Sequence, residues 1–161
     1  MDRLGQVAPR AAAPILLAMV MAGCGPPRYT FPGTVAVATN DLQSQGLRLR
    51  VEWVKLKGKA IDAIVVFENR YTYPIVLHLG GIHLAYNGRP GMLGSNVGQV
   101  EILAGQAVRT LLIYHFAPEV PRRGGMVTIQ ADGIVKGTIT KPEDPLPPLS
   151  VKIELKREYL R

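Results

Sequence analysis

LRLRVEWVKLKGKAIDAIVVF, residues 47–67, is the most regular stretch of this 161-residue chain. Apolar side chains occupy every second position in two segments, and they are Leu47, Leu49, Val51 and Trp53, then Ile61, Ala63, Val65 and Phe67. Successive side chains of a strand point to opposite faces, so each segment predicts a strand with one buried face. Gly58 lies between two lysines where the alternation stops, and the whole stretch therefore predicts a β-hairpin.

The same period of two recurs along the rest of the chain, with Gly- and Pro-rich turns between the segments. At Gly80-Gly81 the apolar phase shifts by one residue, which predicts a bulge or corner. Asp132-Gly133 predicts a further hairpin turn. No stretch after residue 45 sustains helical spacing over ten residues. We therefore expect an all-β fold, a single antiparallel immunoglobulin-like β-sandwich, with Trp53 in its core.

The N-terminal segment has the layout of a secretory signal. A basic start, residues 1–10, precedes an apolar run over residues 11–22, and Met21-Ala22-Gly23-Cys24 ends in the only cysteine of the chain. This ending resembles the lipobox of bacterial lipoproteins, with Met21 in place of the preferred leucine. The resemblance implies that residues 1–23 are a signal peptide and that Cys24 becomes the lipidated N-terminus.

Two other interpretations of this segment are weaker. A transmembrane anchor needs about 20 apolar residues, and the run over residues 11–22 is too short for that. A buried helix is disfavoured by Pro14 and by the glycines at 23 and 25. We therefore expect a lipid anchor, and the resemblance implies acyl chains, palmitate among them, on Cys24.

The lipoprotein resemblance also implies a location and a division of the chain. Gly25 follows the cysteine, where aspartate favours inner-membrane retention in many lipoproteins, so we expect the bacterial cell envelope and favour the outer membrane. Residues 24–40 are rich in Pro and Gly near their start and are expected to be the lipidated cysteine and a tether. Residues 41–161 are expected to be the sandwich domain, with a frayed tail from Lys156.

Positive charge is concentrated in the predicted hairpin. The whole chain has 19 Lys and Arg against 12 Asp and Glu. The candidate binding surface consists of Arg48, Arg50, Lys55, Lys57 and Lys59. It is interpreted either as a solvated sheet edge that discourages further pairing, or as a contact for lipid headgroups or an acidic protein surface. Nucleic acid is not expected, because aromatic residues do not interleave with the basic ones and the export signal argues against it.

The residues give little support to catalysis or cofactor binding. The three histidines, His78, His83 and His115, lack the spacing of a metal site, so neither metal nor cofactor is expected. The segment 94–98 lacks the spacing of a nucleophile elbow, and we expect the protein not to be an enzyme. We expect a membrane-anchored envelope lipoprotein that acts as a non-enzymatic binding or assembly subunit with an envelope protein partner. The alternative is a protease-inhibitor-like or periplasmic ligand-binding domain.

Two turns add a second resemblance. Asn69–Ile75 (NRYTYPI) joins two predicted strands, and Ala104–Gln106 (AGQ) precedes a long hydrophobic strand. Turns of this type are similar to those in small immunoglobulin-like domains of bacterial envelope lipoproteins. The resemblance covers most of residues 45–140 and implies no catalytic residues.

Overall fold

A computed structural model describes residues 25–40, 46–94 and 98–161 of the chain. The strands, in chain order, are β1 (Arg28–Thr30), β2 (Val37–Thr39), β3 (Leu47–Leu56), β4 (Ala60–Asn69), β5 (Ile75–His78), β6 (Ile82–Tyr86), β7 (Arg89–Pro90), β8 (Met92–Leu93), β9 (Gln99–Ile102), β10 (Ala107–His115), β11 (Met126–Ala131), β12 (Ile134–Gly137), β13 (Pro142–Pro145) and β14 (Leu149–Glu154). Two short 3₁₀ turns, Leu79–Gly81 and Arg157–Tyr159, complete the described elements.

The strands form three antiparallel sheets. The first has the order β1-β3-β4-β10-β8, and β2 pairs with β3 beside β1. The other two have the orders β14-β11-β6-β7 and β13-β12-β5-β9. One cluster of buried apolar side chains joins all three sheets. The prediction of an all-β antiparallel sandwich is confirmed.

The predicted hairpin is the centre of the first sheet. β3 and β4 pair over nearly their whole length, and the turn of residues 57–59 connects them. The apolar face predicted for β4 is buried, and Phe67, its largest member, is fully enclosed opposite Leu49 and Val108. β3 is flanked by β1 and β2 on one side and by β4 on the other. β3 is therefore not a sheet edge, and the interpretation that its basic residues prevent further strand pairing at an edge is wrong.

A β-bulge in β3 overturns the prediction for Trp53. Val51 pairs with Val65 and Trp53 pairs with Ile64, so Glu52 is an extra residue between the two pairs. This extra residue shifts the phase of the strand. Val54 takes the inward position, and Trp53 lies half-buried on the outer face, where the Arg28 guanidinium stacks 4.8 Å from the ring centroid. The core tryptophan expected of an immunoglobulin-like domain is thus on the surface.

The corner predicted at Gly80-Gly81 is confirmed, but the hairpin predicted at Asp132-Gly133 is wrong. The chain passes from β5 to β6, and again from β11 to β12, by crossing between the sheet β13-β12-β5-β9 and the sheet β14-β11-β6-β7. The two crossings touch: a Cβ on Gly81 would be 2.7 Å from the Gly133 nitrogen, and one on Gly133 would be 2.7 Å from the Cβ of His78. Only glycine allows the two backbones to approach this closely.

Asn69 organises the opposite end of the hairpin. Its side chain is fully buried and donates hydrogen bonds to the carbonyls of Tyr73 and Ile102, both at 2.9 Å, and it accepts one from the Tyr71 amide. Its backbone amide donates to the Gln106 carbonyl. Asn69 therefore holds together, through its side chain and its backbone, the two turns Asn69–Ile75 and Ala104–Gln106 that the sequence analysis singled out.

Both ends of the described chain depart from expectation. The proposed tether over residues 24–40 contains β1 and β2, and Tyr29 and Phe31 are buried in the core, so most of it belongs to the sandwich. The tail expected to fray from Lys156 is held instead. Tyr29 pairs with Leu160, and the ring of Phe31 packs against that of Tyr159 at 5.3 Å. Both segments are held against the sandwich because their apolar side chains complete one core.

Residues 1–24 lie outside the described residues, so the signal peptide and Cys24 have no structural account here. In the described ranges, no helix has the length and apolar character needed to cross a membrane.

Tyr114 connects the first sheet to the sheet that contains β6. It is almost fully buried on β10, and its hydroxyl donates a hydrogen bond to the carbonyl of Ile82 at the start of β6. We expect Tyr114→Phe to lower the free energy of unfolding by about 1–3 kcal/mol at neutral pH, because a buried carbonyl would lose its partner. Urea titrations of wild type and variant check the difference.

Tyr114 should also make stability depend on alkaline pH. Burial raises the pKa of its phenol above the ordinary value, so the unfolded chain ionises first as pH rises. The stabilising contribution is complete below about pH 10 and is lost above it, by up to about 1.4 kcal/mol per pH unit. Unfolding measured from about pH 8 to about pH 11 should show a shallower decline for Tyr114→Phe, and equal slopes would contradict the assignment.

Candidate basic end of the sandwich

The predicted binding surface is divided by the geometry of β3. Arg48 and Arg50 lie near the start of the strand, whereas Lys55, Lys57 and Lys59 lie at its end and in the following turn. At about 3.3 Å per residue, Arg48 and Lys57 are roughly 30 Å apart along the strand. The five residues therefore do not form one patch.

Each of the two arginines of this set is paired with a glutamate on the outer face of the first sheet. Arg48 pairs with Glu68 at 3.4 Å, and Arg50 pairs with Glu52 at 3.4 Å. Each glutamate also contacts a further arginine, Arg70 at 3.0 Å from Glu68 and Arg109 at 2.8 Å from Glu52. The hydrogen bond from Arg70 is the main cause that lowers the pKa of Glu68. This region is an ion-pair network in which four arginines share two glutamates.

Two of the three lysines are paired as well. Lys57 forms an ion pair with the buried carboxylate of Asp62, and Lys59 lies 3.9 Å from the carboxylate of Glu119. Lys55 faces Asp62 across the β3–β4 pairing. The lysines do, however, lie at the end of the molecule where other basic residues gather.

Three parts of the chain that are distant in sequence meet at this end. The Leu56 amide donates to the Pro27 carbonyl at 3.2 Å, and the Val120 amide donates to the Gly58 carbonyl at 2.8 Å. The Gly124 amide donates to the Tyr29 hydroxyl at 2.8 Å. These bonds hold the residues before β1, the end of β3, the turn of residues 57–59 and the loop of residues 116–125 together.

The C-terminal segment closes the same end. The Arg161 amide donates to the Arg28 carbonyl at 2.9 Å, and the Leu155 amide donates to the Gly125 carbonyl at 2.8 Å. We call this region the basic end, and its basic residues are Arg28, Lys55, Lys57, Lys59, Arg122, Arg123, Lys156, Arg157 and Arg161. The acidic residues among these segments are Asp62, Glu119 and Glu158.

Four arginines of the basic end line two cavities. Arg123 and Arg157 border a cavity of about 280 Å³ whose floor includes Tyr29 and Leu160. Arg28 and Arg161 border a second cavity of about 340 Å³. All four arginines are exposed, and within residues 25–40, 46–94 and 98–161 none has a carboxylate oxygen within 4.0 Å. The guanidinium groups at these cavities therefore have no carboxylate to neutralise them, and that of Arg28 also stacks on Trp53.

The sequence analysis missed this arginine group. Arg28, Arg123 and Arg157 come from widely separated parts of the chain, and each lies in a stretch interpreted as tether, loop or tail. The doublet Arg122-Arg123 and the two arginines of Lys156–Arg161 were the available indications. Only the pairing of β1 with the C-terminal segment places them together.

The histidines do not gather into a metal centre. The Nδ1 atom of His78 is 3.3 Å from the side-chain Nε2 atom of Gln99, and the Nε2 atom of His83 is 3.6 Å from the carboxylate of Asp132. No three His, Cys, Asp or Glu side chains of the described ranges are close enough together to hold a metal ion.

Comparisons with known proteins give a likeness of fold. The chain matches no protein-family model, and the search of curated proteins found no match. A Bacillus subtilis crystal structure, described as that of a "putative lipoprotein (ycdA)", superposes with a TM-score of 0.50 and 11% identity, over 72% of this chain and 39% of that one. This chain thus spans about two fifths of the length of that protein, and at this identity the similarity concerns the fold.

A second solved structure is a protein from Archaeoglobus fulgidus. It has a TM-score of 0.33 and 15% identity, over 69% of this chain and 96% of the other.

Proposed function

We propose that this protein is a lipid-anchored protein of the bacterial cell envelope whose sandwich domain acts as a non-enzymatic binding or assembly subunit. The observation that carries the proposal is the sequence Met21-Ala22-Gly23-Cys24 after a basic and an apolar segment. The fold likeness to a protein described as a "putative lipoprotein (ycdA)" supports it.

The position of the first strand also supports the proposal. β1 begins at Arg28, only four residues after Cys24, and the Pro27 carbonyl is already bonded to β3. A cysteine acylated at this position would hold the domain close to the bilayer. One acyl chain gives only marginal attachment, so the diacylglyceryl group and the N-linked chain of lipoproteins together provide a stable anchor. Gly25 after the cysteine favours the outer membrane over the inner one.

The proposed lipidation is tested by Cys24→Ser in cells supplied with labelled palmitate. We expect a complete loss of label and no cleavage before residue 24, because serine has no thiol to accept the diacylglyceryl group. Met21→Leu, which supplies the preferred lipobox residue, is the matched control and should keep both label and cleavage. Label on the serine variant, or a processed N-terminus at another residue, would contradict the proposal.

The proposed binding role is tested on the lipidated protein in detergent. We expect it to purify with an envelope protein in a fixed ratio, and Cys24→Ser to lose that partner if the partner is reached at the membrane. A monomeric protein that retains a small molecule would support the ligand-binding alternative instead.

A further inference from the structure

The distribution of unpaired guanidinium groups distinguishes the basic end from the outer face of the first sheet. On the outer face of the first sheet, each arginine named above has a glutamate partner at 2.8–3.4 Å. At the basic end, Arg28, Arg123, Arg157 and Arg161 lack such a partner among the described residues, and they surround two open cavities. Planar guanidinium groups bind the oxygens of phosphate through paired hydrogen bonds, so this arrangement fits phosphate groups at a surface.

The basic end is also where the chain arrives from Cys24. Three residues separate Cys24 from Arg28, and an extended chain covers at most about 3.5 Å per residue, so Arg28 lies within roughly 14 Å of the cysteine along the chain. Pro26 and Pro27 restrict the intervening backbone. With Cys24 acylated, as the proposed function requires, the basic end is the part of the domain that can reach the headgroups.

We propose that the basic end docks on anionic phospholipid, with Arg28, Arg123, Arg157 and Arg161 bound to headgroup phosphates. The partner is the membrane surface itself, and the inference rests on the proposed lipid anchor. The lipid chains provide attachment and the arginines provide orientation. In the docked state the turn of residues 57–59 faces the bilayer, and the junction at Asn69, at the other end of β4, faces away from it.

The test uses the lipidated full chain in vesicles of phosphatidylcholine alone and in vesicles of phosphatidylcholine and phosphatidylglycerol in equal parts. Acylation consumes the only cysteine, so a new cysteine is a unique site for a fluorophore. Pro121→Cys labels the basic end and Ala104→Cys labels the opposite end, and both positions are exposed and uncharged. The vesicles contain a lipid that carries a quencher on its headgroup.

We expect quenching at position 121 to increase when phosphatidylglycerol is present, and quenching at position 104 to stay low in both vesicles. Raising the salt to about 1 M shortens the Debye length to about 3 Å and should remove the increase. The double substitution Arg123→Gln with Arg157→Gln should lower the ratio of docked to undocked protein by about fivefold per arginine. Arg48→Gln with Arg109→Gln removes the same charge from the ion-pair network and should leave docking unchanged.

The outcomes separate the two proposals. If the wild-type protein does not float with phosphatidylcholine vesicles, the lipid anchor is wrong. If it floats but position 121 is equally quenched in both vesicles, or both double variants lose the effect equally, the docking proposal is wrong and the anchor stands. Binding of the basic end to an acidic protein, with no response to phosphatidylglycerol, would likewise overturn it.

Discussion

Replacing Phe67 with alanine should lower the free energy of unfolding by about 3–5 kcal/mol, the usual cost of removing a large aromatic side chain from a core. Phe67 is fully buried on β4, between Leu49 of β3 and Val108 of β10. These neighbours belong to strands of the same sheet and cannot move in to fill the space. Urea unfolding followed by circular dichroism measures the loss.

Trp53→Ala provides the contrast that tests the bulge. Trp53 is larger than Phe67, but it is half-buried on the outer face, and its cation–π contact with Arg28 is worth about 0.5–1 kcal/mol at an exposed site. We expect a loss of no more than about 1.5 kcal/mol, part of it from apolar surface that the ring covers. A loss as large as that of Phe67→Ala would mean that Trp53 is in the core and that the bulge is absent.

Replacing Asn69 with leucine should cost about 3–5 kcal/mol, although the two side chains are similar in size. The carbonyls of Tyr73 and Ile102 would each lose a buried donor and the Tyr71 amide would lose its acceptor, at about 1–3 kcal/mol for each group left unpaired. Chemical denaturation gives the total. Hydrogen exchange should show faster opening of residues 70–74 and 103–106 first, because these turns depend on Asn69.

Asn40→Leu is the matched control. Asn40 also joins distant backbone groups, since its side chain accepts a hydrogen bond from the Leu47 amide and donates one to the Pro147 carbonyl. The Asn40 side chain also accepts a bond from the Tyr71 hydroxyl at 3.1 Å, but Asn40 is only partly buried, so water can replace the lost partners and the cost should be about 1 kcal/mol. Equal costs at Asn40 and Asn69 would show that burial at Asn69 does not determine its contribution.

The fold class could be predicted because the period of two is a local property of the sequence. The hairpin of β3 and β4 and the corner at Gly81 followed from alternation and glycine. The bulge at Glu52 did not, because a charged residue in phase with its neighbours gives no sign that the strand holds one residue too many. The hairpin predicted at Asp132-Gly133 was wrong for a similar reason. The dipeptide suits a tight turn, and only the contact with Gly81 shows that the chain crosses between sheets instead.

The candidate site was predicted less well than the fold. Local charge density drew attention to Arg48, Arg50 and the three lysines, but in the folded chain four of these five residues have a carboxylate partner, on the same strand, on the neighbouring strand or in a loop. Arg28, Arg123 and Arg157 were overlooked because their proximity depends on contacts between segments up to about 130 residues apart. Which charged side chains meet depends mostly on tertiary structure, and the periodicity of the sequence does not predict it.

The bulge also determines which changes of chain length β3 can accept. Glu52 and Trp53 together oppose the single residue Ile64, so removal of Glu52 would leave Val51, Trp53 and Val54 paired as they are now. Removal of Arg50 would instead move Glu52 into the inward position that Val51 holds opposite Val65. Related chains that are one residue shorter at position 52 should therefore share this sheet unchanged. When such chains are aligned, a gap belongs at position 52, although the alternation of apolar residues in the present chain changes phase there.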